Sequence, residues 1–257
     1  MAGVSLGLEI RNADILDGKA MMHYCKGISV VFHFAAVASI EQSMKDPSHA
    51  CEISLEGTKK MLSAQRRREV NRFIFASSSA VYGEAELFPT PESEMPHPCS
   101  PYAQQKMHAE SMVCGFAEGG GPEGVCLRLF NVYGPGQKST SSNLGVLSAF
   151  CTAALFGERP VIFGNGDQSR DFIFVDDVVR AFIEVAWPGK QELAGTRLLP
   201  QYLPVRAGDV CQSQADMAMI EKLGFRVHTD LRSGLSRRIS WHKNLRTPSA
   251  KSGLKKS

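Results

Sequence analysis

A tyrosine and a lysine stand four positions apart in the stretch "SPYAQQK", as Tyr102 and Lys106. A helix turns slightly more than once in four residues, so both side chains point to the same face. A phenol has a pKa of ~10, too high for a base at neutral pH, but a nearby ammonium favours the phenolate and lowers that pKa. The spacing therefore predicts a general base tuned towards the working pH.

A base of this kind needs a partner that positions a substrate hydroxyl. The stretch "ASSSAVYG" places serines, Ser78 among them, at the end of an apolar run, with a loop before Tyr102. The ends of parallel strands are where doubly wound sheets bind ligands. Either signal alone also fits an ordinary helix surface or a serine turn. Together, in chain order, they predict a catalytic set of Ser78, Tyr102 and Lys106.

Strand and helix patterns alternate along the chain and position these groups. Short apolar runs indicate buried strands, helical spacing indicates the helices between them, and the pattern weakens after Trp187. Such alternation predicts an α/β fold with a parallel sheet. The predicted strands are 28–36, 71–83, 124–136 and two short ones on either side of a glycine-rich turn within 159–175. The predicted helices are 49–67, 145–157, 214–223, 231–241 and those starting at 101 and 176.

The bulk composition is that of a soluble globular protein. Of 257 residues, 43% are hydrophobic and 21% are charged, and no apolar run approaches the ~18 residues of a membrane span. The first residues lack the order of a signal peptide, so we expect a cytoplasmic protein without membrane attachment. Seven cysteines lie singly, which indicates reduced thiols and no metal site.

The net charge of +3 comes from the C-terminal end, since removing five basic residues there leaves −2. A basic tail can bind nucleic acid, but this one has no aromatic residue after Trp241. We therefore expect a disordered tail over 246–257 and no nucleic-acid partner. The five residues are Lys243, Arg246, Lys251, Lys255 and Lys256.

Eight blocks of the chain, from about Asp14 to Trp241, resemble the extended short-chain dehydrogenases. The resemblance is to the NAD-dependent nucleotide-sugar epimerases and dehydratases, most of all to UDP-glucose and UDP-N-acetylglucosamine 4-epimerases. No single block is specific, but all eight occur in the family's order. They are "ADILD", "VFHFAA", "SLEGT", "SSSAVYG", "SPYAQQK", "LRLFNVYGP", "GNGDQSRDFIFVDD" and "RAGDVCQSQAD".

The resemblance implies NAD as cofactor and gives the catalytic set its roles. Tyr102 would be the base, Lys106 would tune it and hold the nicotinamide ribose, and Ser78 would bind the sugar hydroxyl. The implied cofactor-binding residues are Asp14, Ile15, Phe34, Ala35, Ala36, Ser54, Tyr102, Lys106 and Phe130.

A UDP-sugar substrate is implied in the same way. Two arginines would clamp its phosphates, although a surface ion pair is the alternative for each. Asn131 would lie near the diphosphate and Asp209 near the ribose of the nucleotide. The implied substrate-binding residues are Ser39, Ser78, Ser79, Asn131, Gly145, Val146, Phe163, Arg170, Arg206, Asp209 and Ser213.

The resemblance also indicates the reaction. Dehydratase members carry an acidic pair before "VYG", and "SSAVYG" has none, which favours inversion at C4 of the sugar through a 4-keto intermediate. Ser213 stands at a size gate near C2 of the sugar, where a small residue leaves room for an N-acetyl group. Relatives also suggest a homodimer through helices at 55–67 and 101–116.

The sequence departs from the family pattern in its cofactor half. No GxxGxxG turn occurs, and Ser54 replaces an asparagine before "GT". We expect a Rossmann-like parallel sheet lacking its first βαβ part at 1–190, and a small C-terminal substrate lobe at 191–245. The alternative function is a catalytically impaired homologue that only binds nucleotide sugars or a protein. We also expect weak NAD binding and an exposed strand edge at 28–34.

Overall fold

Three parallel strands carry the larger part of the fold. The computed structural model describes residues 9–66, 70–137, 146–160, 162, 167–187 and 212–246. Strands β1 (Val30–His33), β2 (Arg72–Ser78) and β3 (Glu123–Leu129) form a parallel sheet in the order β1-β2-β3. The predicted α/β architecture with a parallel sheet is confirmed.

Nine α-helices lie in the described ranges. A π-helical turn, Glu52–Glu56, joins two of them, and a 3-10 helix, Ser79–Tyr82, follows β2. No helix in these ranges is long and apolar enough to cross a membrane. The helices are α1 (Gly18–Tyr24), α2 (Ile40–Lys45), α3 (Pro47–Cys51), α4 (Gly57–Arg66), α5 (Pro101–Glu118), α6 (Val146–Phe156), α7 (Val175–Ala186), α8 (Ala218–Lys222) and α9 (Leu231–Arg246).

The central strand β2 is buried on both faces, as its apolar sequence predicts for a parallel sheet. Side chains alternate along a strand, so Phe73 and Phe75 pack against one layer and Ile74 and Ala76 against the other. The first layer comes from α4 and α5, through residues such as Val113. The second comes from α7. The sheet thus has helices on both faces.

A second, two-stranded parallel sheet follows β3 in the chain. Strands β4 (Asn131–Tyr133) and β5 (Phe172–Phe174) pair in register, and α6 and α9 pack on them through Leu147 and Leu231. The fully buried carboxylate of Asp177, in α7, accepts hydrogen bonds from the backbone N–H groups of His228 and Thr229 at 2.8 and 3.0 Å. These bonds fix the chain just before α9.

Several predicted boundaries differ from the structure. The helix predicted at 49–67 is divided into α3, the π-helical turn and α4, because the π turn holds one residue more than an α turn. The helix predicted at 214–223 is only Ala218–Lys222, and the last helix runs on to Arg246. Helices α1 and α2 are short and capped by Asp17 and Ser39, and periodicity did not reveal them. Most of the expected C-terminal tail lies outside the described residues.

Within the described ranges, β1 pairs with β2 alone and forms an edge of the sheet. The side chains at its two ends are exposed, Ile28 at 40% and Phe34 at 59%. The Phe34 ring nevertheless packs on Phe182 of α7, with ring centroids 4.7 Å apart. The exposed strand edge expected over 28–34 stays a prediction, since within β1 itself the residues are buried or half-buried.

Candidate active site

Ser78 ends β2 and begins the next helix. Its backbone is extended, and its hydroxyl accepts a hydrogen bond from the N–H of Ala80 at 3.2 Å, which caps the 3-10 helix. A serine cap of this kind satisfies an N–H that the helix leaves free. The cap orients the Ser78 hydroxyl at the carboxyl end of the sheet.

Helix α5 begins at Pro101 for local reasons. Proline suits the first helical position, and Ser100 caps the helix by accepting from the N–H of Ala103 at 3.2 Å. A third group, not found from the sequence, completes this start. The buried Ser43 hydroxyl accepts from the N–H of Tyr102 at 3.1 Å and donates to the Ile40 carbonyl at 2.7 Å. The start of α5 is thereby tied to α2.

Ser78, Tyr102 and Lys106 meet at the end of β2. The Ser78 side chain lies close enough to the Tyr102 phenol to lower its pKa. The Lys106 Nζ lies 5.9 Å from the centroid of the Tyr102 ring and donates to the Ala76 carbonyl at 2.5 Å. The predicted convergence of the three side chains is confirmed, and their catalytic roles stay predictions.

The pKa values of this group differ from the expectation. Burial raises the pKa of Tyr102 above its ordinary value, and the Ser78 side chain only partly opposes this. The expected lowering of the Tyr102 pKa by Lys106 was therefore wrong, because desolvation of the phenolate outweighs the other effects. Burial also lowers the pKa of Lys106 to about 8, against the charge of Glu110.

His33 lies beneath the lysine at the end of β1. Its ring packs between Phe73 and Phe75, and its Nε2 is 2.8 Å from the Thr58 hydroxyl. Because that hydroxyl donates to the Ser54 carbonyl at 2.6 Å, the histidine must donate from Nε2. Burial, and then the charge of Lys106, lower the pKa of His33 to about 4. His33 is thus a neutral support.

Three of the nine residues predicted to bind the cofactor, Phe34, Ala35 and Ala36, follow the end of β1. Phe34 and Ala35 are exposed and Ala36 is half-buried. The two alanine side chains are small, so a ligand can approach the backbone there. The hydroxyl of Ser54 accepts from the N–H of Val37 at 3.3 Å. Ser54 is contributed by the π-helical turn, a feature that often marks functional sites.

Asp14 and Ile15 lie beside the start of α4. Asp14 is exposed, and its carboxylate accepts from the N–H of Leu16 at 2.8 Å. Ile15 packs so closely on α4 that a Cβ at Gly57 would come within 2.9 Å of its Cγ2. The glycine of "SLEGT" therefore allows this close approach, which holds the two residues near the end of β1.

Asn131 and Arg170 lie next to one another across the second sheet. The main-chain N–H and the side-chain Nδ2 of Asn131 both donate to the Asp171 carbonyl, at 3.1 and 2.9 Å. Arg170 directly precedes Asp171. Phe130, half-buried, connects Asn131 to β3, whose last residue pairs with Ser78. These residues thus lie at the same end of the sheet as the catalytic set.

Ser213 is held in the same neighbourhood. The N–H of Ser213 donates to the Ser169 hydroxyl at 3.4 Å. Two residues later, the N–H of Ala215 donates to the Asp171 carboxylate at 2.9 Å. The loop before α5 also binds this segment, since Thr90 exchanges backbone hydrogen bonds with Gln214 and Asp216 at 2.7 and 2.9 Å. Asp171 was missed by the sequence analysis, although it binds the predicted Asn131 and, through Ala215, holds the segment of Ser213.

The remaining predicted residues fall into three groups. Ser39 is buried and caps α2 by accepting from the N–H of Gln42 at 3.1 Å, which is a structural use of its hydroxyl. Ser79 and Val146 are half-buried at the starts of their helices. Outside the described residues lie Gly145, Phe163, Arg206 and Asp209.

Known proteins with this sequence pattern form one family. The model of the NAD dependent epimerase/dehydratase family matches residues 2–193. A putative UDP-glucose 4-epimerase of Methanocaldococcus jannaschii is 32% identical over 261 aligned residues, which cover 92% of this chain and 84% of the relative.

Solved structures agree with that match. A UDP-N-acetylglucosamine 4-epimerase from Methanobrevibacter ruminantium, in complex with UDP-N-acetylmuramic acid, has a TM-score of 0.85 at 33% identity, with 93% of this chain and 84% of that chain covered. MoeE5 in complex with UDP-glucose and NAD has a TM-score of 0.80 at 33% identity, with 93% and 86% covered. The fold is therefore that of the Rossmann-like epimerases.

Proposed function

We propose, because the chain belongs to the NAD-dependent epimerase/dehydratase family, that it inverts C4 of a UDP-hexose or UDP-N-acetylhexosamine through a 4-keto sugar. The observation that carries this proposal is that Ser78, Tyr102 and the buried ammonium of Lys106 come together at the end of β2. This is the set of groups needed to move a proton on and off a sugar hydroxyl.

NAD is the cofactor of the family, and the residues at the ends of β1 and β2 fit its nicotinamide half. Lys106 offers a cation 5.9 Å from the Tyr102 ring, and the exposed Ala35 leaves space at the end of β1. Bound NAD would take up the C4 hydride and return it. The sequence contains no GxxGxxG turn to bind the pyrophosphate, so we expect its affinity for NAD to be low.

The proton is handled at the Tyr102 oxygen. We propose that this oxygen accepts the proton of the sugar 4-hydroxyl and later returns it, while Ser78 holds the hydroxyl in place. Burial raises the Tyr102 pKa and opposes formation of the phenolate, and the Ser78 side chain partly offsets this by lowering the pKa.

The sugar nucleotide would lie across the second sheet. Asn131 and Arg170, both joined to Asp171, would bind the diphosphate, with Arg206 and Asp209 completing the nucleotide site. Ser213 would face C2 of the sugar, and its small side chain supports substrates with or without an N-acetyl group. Two of the proteins named above are described as a putative UDP-glucose 4-epimerase and a UDP-N-acetylglucosamine 4-epimerase, which supports the same choice.

Binding of nucleotide sugars without turnover is the second candidate function. It is favoured by one observation, that the sequence holds no glycine-rich pyrophosphate turn. We also propose that the protein is cytoplasmic. We propose that the chain divides into a cofactor-binding part at 1–190 and a substrate lobe at 191–245. We further propose a homodimer formed through 55–67 and 101–116. Analytical ultracentrifugation tests the dimer.

The decisive experiment follows C4 inversion by proton NMR, with UDP-glucose or UDP-N-acetylglucosamine and millimolar NAD⁺. We expect turnover by the unmodified chain and a loss of about 10²–10⁴-fold in Tyr102→Phe. The matched control is Tyr24→Phe, which changes an exposed tyrosine at the end of α1. UDP-sugar binding by calorimetry without any turnover would replace the epimerase by the second candidate.

A further inference from the structure

A buried carboxylate lies one helical turn beyond the catalytic lysine. Tyr102, Lys106 and Glu110 are spaced by four residues on α5, so they share the face that packs on β2. The Glu110 residue is only 7% exposed. A glutamate is seldom buried to this extent unless it is paired, and the function proposed above gives Glu110 no role.

Both oxygens of Glu110 are bound by neighbouring strands. Its Oε1 accepts from the Ser77 hydroxyl at 2.5 Å and from Arg128 Nε at 3.0 Å, and its Oε2 accepts from Arg128 Nη2 at 2.7 Å. Ser77 and Arg128 are direct partners in the register of β2 and β3. One carboxylate thus joins the catalytic helix to two strands at one level of the sheet.

The arginine is itself fixed on its other sides. Its guanidinium lies 4.7 Å from the centroid of the Tyr82 ring, and its Nη1 donates to the Glu92 carbonyl at 3.3 Å. A guanidinium that binds a carboxylate through two nitrogens has little freedom to rotate. Glu110 is therefore held in one position by contacts from β2, β3 and the loop before α5.

We propose that Glu110 is a positioning residue, which fixes where α5 lies along its own axis relative to β2. In this position Tyr102 lies next to Ser78, and Lys106 reaches the Ala76 carbonyl. Ser77 directly precedes Ser78, so the bond from Ser77 to Glu110 sets the position of α5 one residue from the catalytic serine. This inference rests on the proposed epimerase activity for its kinetic consequence, but not for its structural one.

The charge of Glu110 has a second effect on the same lysine. Burial favours the neutral amine of Lys106, and the Glu110 carboxylate opposes this. The other charged or titratable groups that face the site are His33 from β1, Arg128 and Cys126 from β3, Cys114 from α5, Tyr82 from the 3-10 helix and Glu92 from the loop before α5. Loss of the Glu110 charge is therefore expected to favour the neutral form of Lys106.

The test compares Glu110→Gln with Glu118→Gln, which removes an exposed glutamate from the same helix. Lysine labelled with ¹³C at Cε reports the Lys106 pKa by NMR, with the resonance assigned from Lys106→Met. We expect Glu110→Gln to lower this pKa below about 8 and to reduce kcat at least tenfold, with less change in the KM for the UDP-sugar. Glu110→Asp keeps the negative charge but shortens the side chain. We expect it to bring the Lys106 pKa close to that of the unmodified chain, while kcat stays lower.

Two results separate this inference from the proposed function. An unmodified chain without epimerase activity would refute the proposed function, and the Lys106 resonance would still test the effect of Glu110. A Lys106 pKa and a kcat that are the same in Glu110→Gln and Glu118→Gln would overturn the positioning role. Should Glu110→Gln not fold, Ser77→Ala carries the test, since it leaves the Arg128 pair in place. An unaltered kcat in Ser77→Ala would then overturn the role.

Discussion

The Lys106 ammonium lies 5.9 Å from the centroid of the Tyr102 ring while it donates to the Ala76 carbonyl at 2.5 Å. One cation therefore serves both a strand end and a phenol. Its own burial weakens it, because the pKa of Lys106 is lowered to about 8. Burial therefore shifts both groups towards their neutral forms, raising the pKa of Tyr102 and lowering that of Lys106.

We predict that epimerisation speeds up as the pH rises from about 6 to about 8. Burial raises the pKa of Tyr102, so its phenolate fraction grows with pH throughout this range. Above about 8 the lysine loses its proton, and the increase should stop. Initial rates at saturating NAD⁺ measure the profile, and Lys106→Met should lower the rate by at least about 10²-fold. A profile with its maximum below pH 6 would contradict this assignment.

We predict that His33 makes the fold less stable in acid. Its pKa is about 4 in the folded chain against 6.5 for the free side chain, so between these values the unfolded state binds more protons. Stability from this group is complete above pH 6.5 and is lost as the pH falls to 4. The loss is about 3 kcal/mol. Urea unfolding at several pH values measures it. His33→Gln should flatten the dependence, and His49→Gln, at an exposed site, should leave it unchanged.

We predict that Asp177→Asn lowers the free energy of unfolding by about 2–4 kcal/mol. An asparagine of the same shape would turn an NH₂ group towards one of the backbone N–H groups of His228 and Thr229, which the carboxylate now binds. Asp177 also pairs with Arg180, and the neighbouring Asp176 is a matched control because it pairs with Arg237 and its side chain is 45% exposed. Asp176→Asn should cost less than about 1 kcal/mol in the same urea titration. Equal costs for the two variants would refute the anchoring role of Asp177.

We predict that Gly83→Ala is much more harmful than Gly157→Ala. Both glycines have positive φ, +60° and +69°, which costs any other residue about 1–2 kcal/mol. A Cβ at Gly83 would also lie 2.0 Å from the His97 carbonyl oxygen, whereas one at Gly157 would meet no atom within 4 Å. The extra cost at Gly83 should be roughly 1–3 kcal/mol, measured by thermal unfolding. A similar loss in both variants would show that the loop at His97 moves freely.

We predict that Ser213→Tyr lowers kcat/KM for UDP-N-acetylglucosamine at least about tenfold relative to that for UDP-glucose. The segment of Ser213 is fixed by Ser169 and Asp171, so a large side chain there cannot easily move aside. Gln212→Tyr, at the exposed neighbouring position, is the control. If Ser213→Tyr slows both substrates equally, position 213 does not face C2 of the sugar.

The features predicted correctly from the sequence are those with local causes. The apolar run that ends at Ser78 forms a strand, and Ser100 with Pro101 begins a helix, because each depends on a few neighbouring residues. The meeting of Ser78 with Tyr102 followed from the topology of parallel strands. Order in the chain and the motif series were enough for the fold class.

The features missed depend on contacts between distant residues. Ser43 binds the N–H of Tyr102, and Asp171 binds that of Ala215, yet no local pattern marks either residue. The pKa of Tyr102 was predicted in the wrong direction because desolvation depends on packing, whereas the lysine four residues away is visible in the sequence. The π-helical turn that carries Ser54 also leaves no trace in helical spacing.

The paired hydrogen bonds of Thr90 with Gln214 and Asp216 have a consequence for the release of product. They fasten the loop before the catalytic helix to the stretch that would surround the sugar, although the two are remote in sequence. Neither can swing outward without the other unless both bonds break. If the proposed function holds, we expect the departure of a bulky sugar to depend on these two main-chain hydrogen bonds.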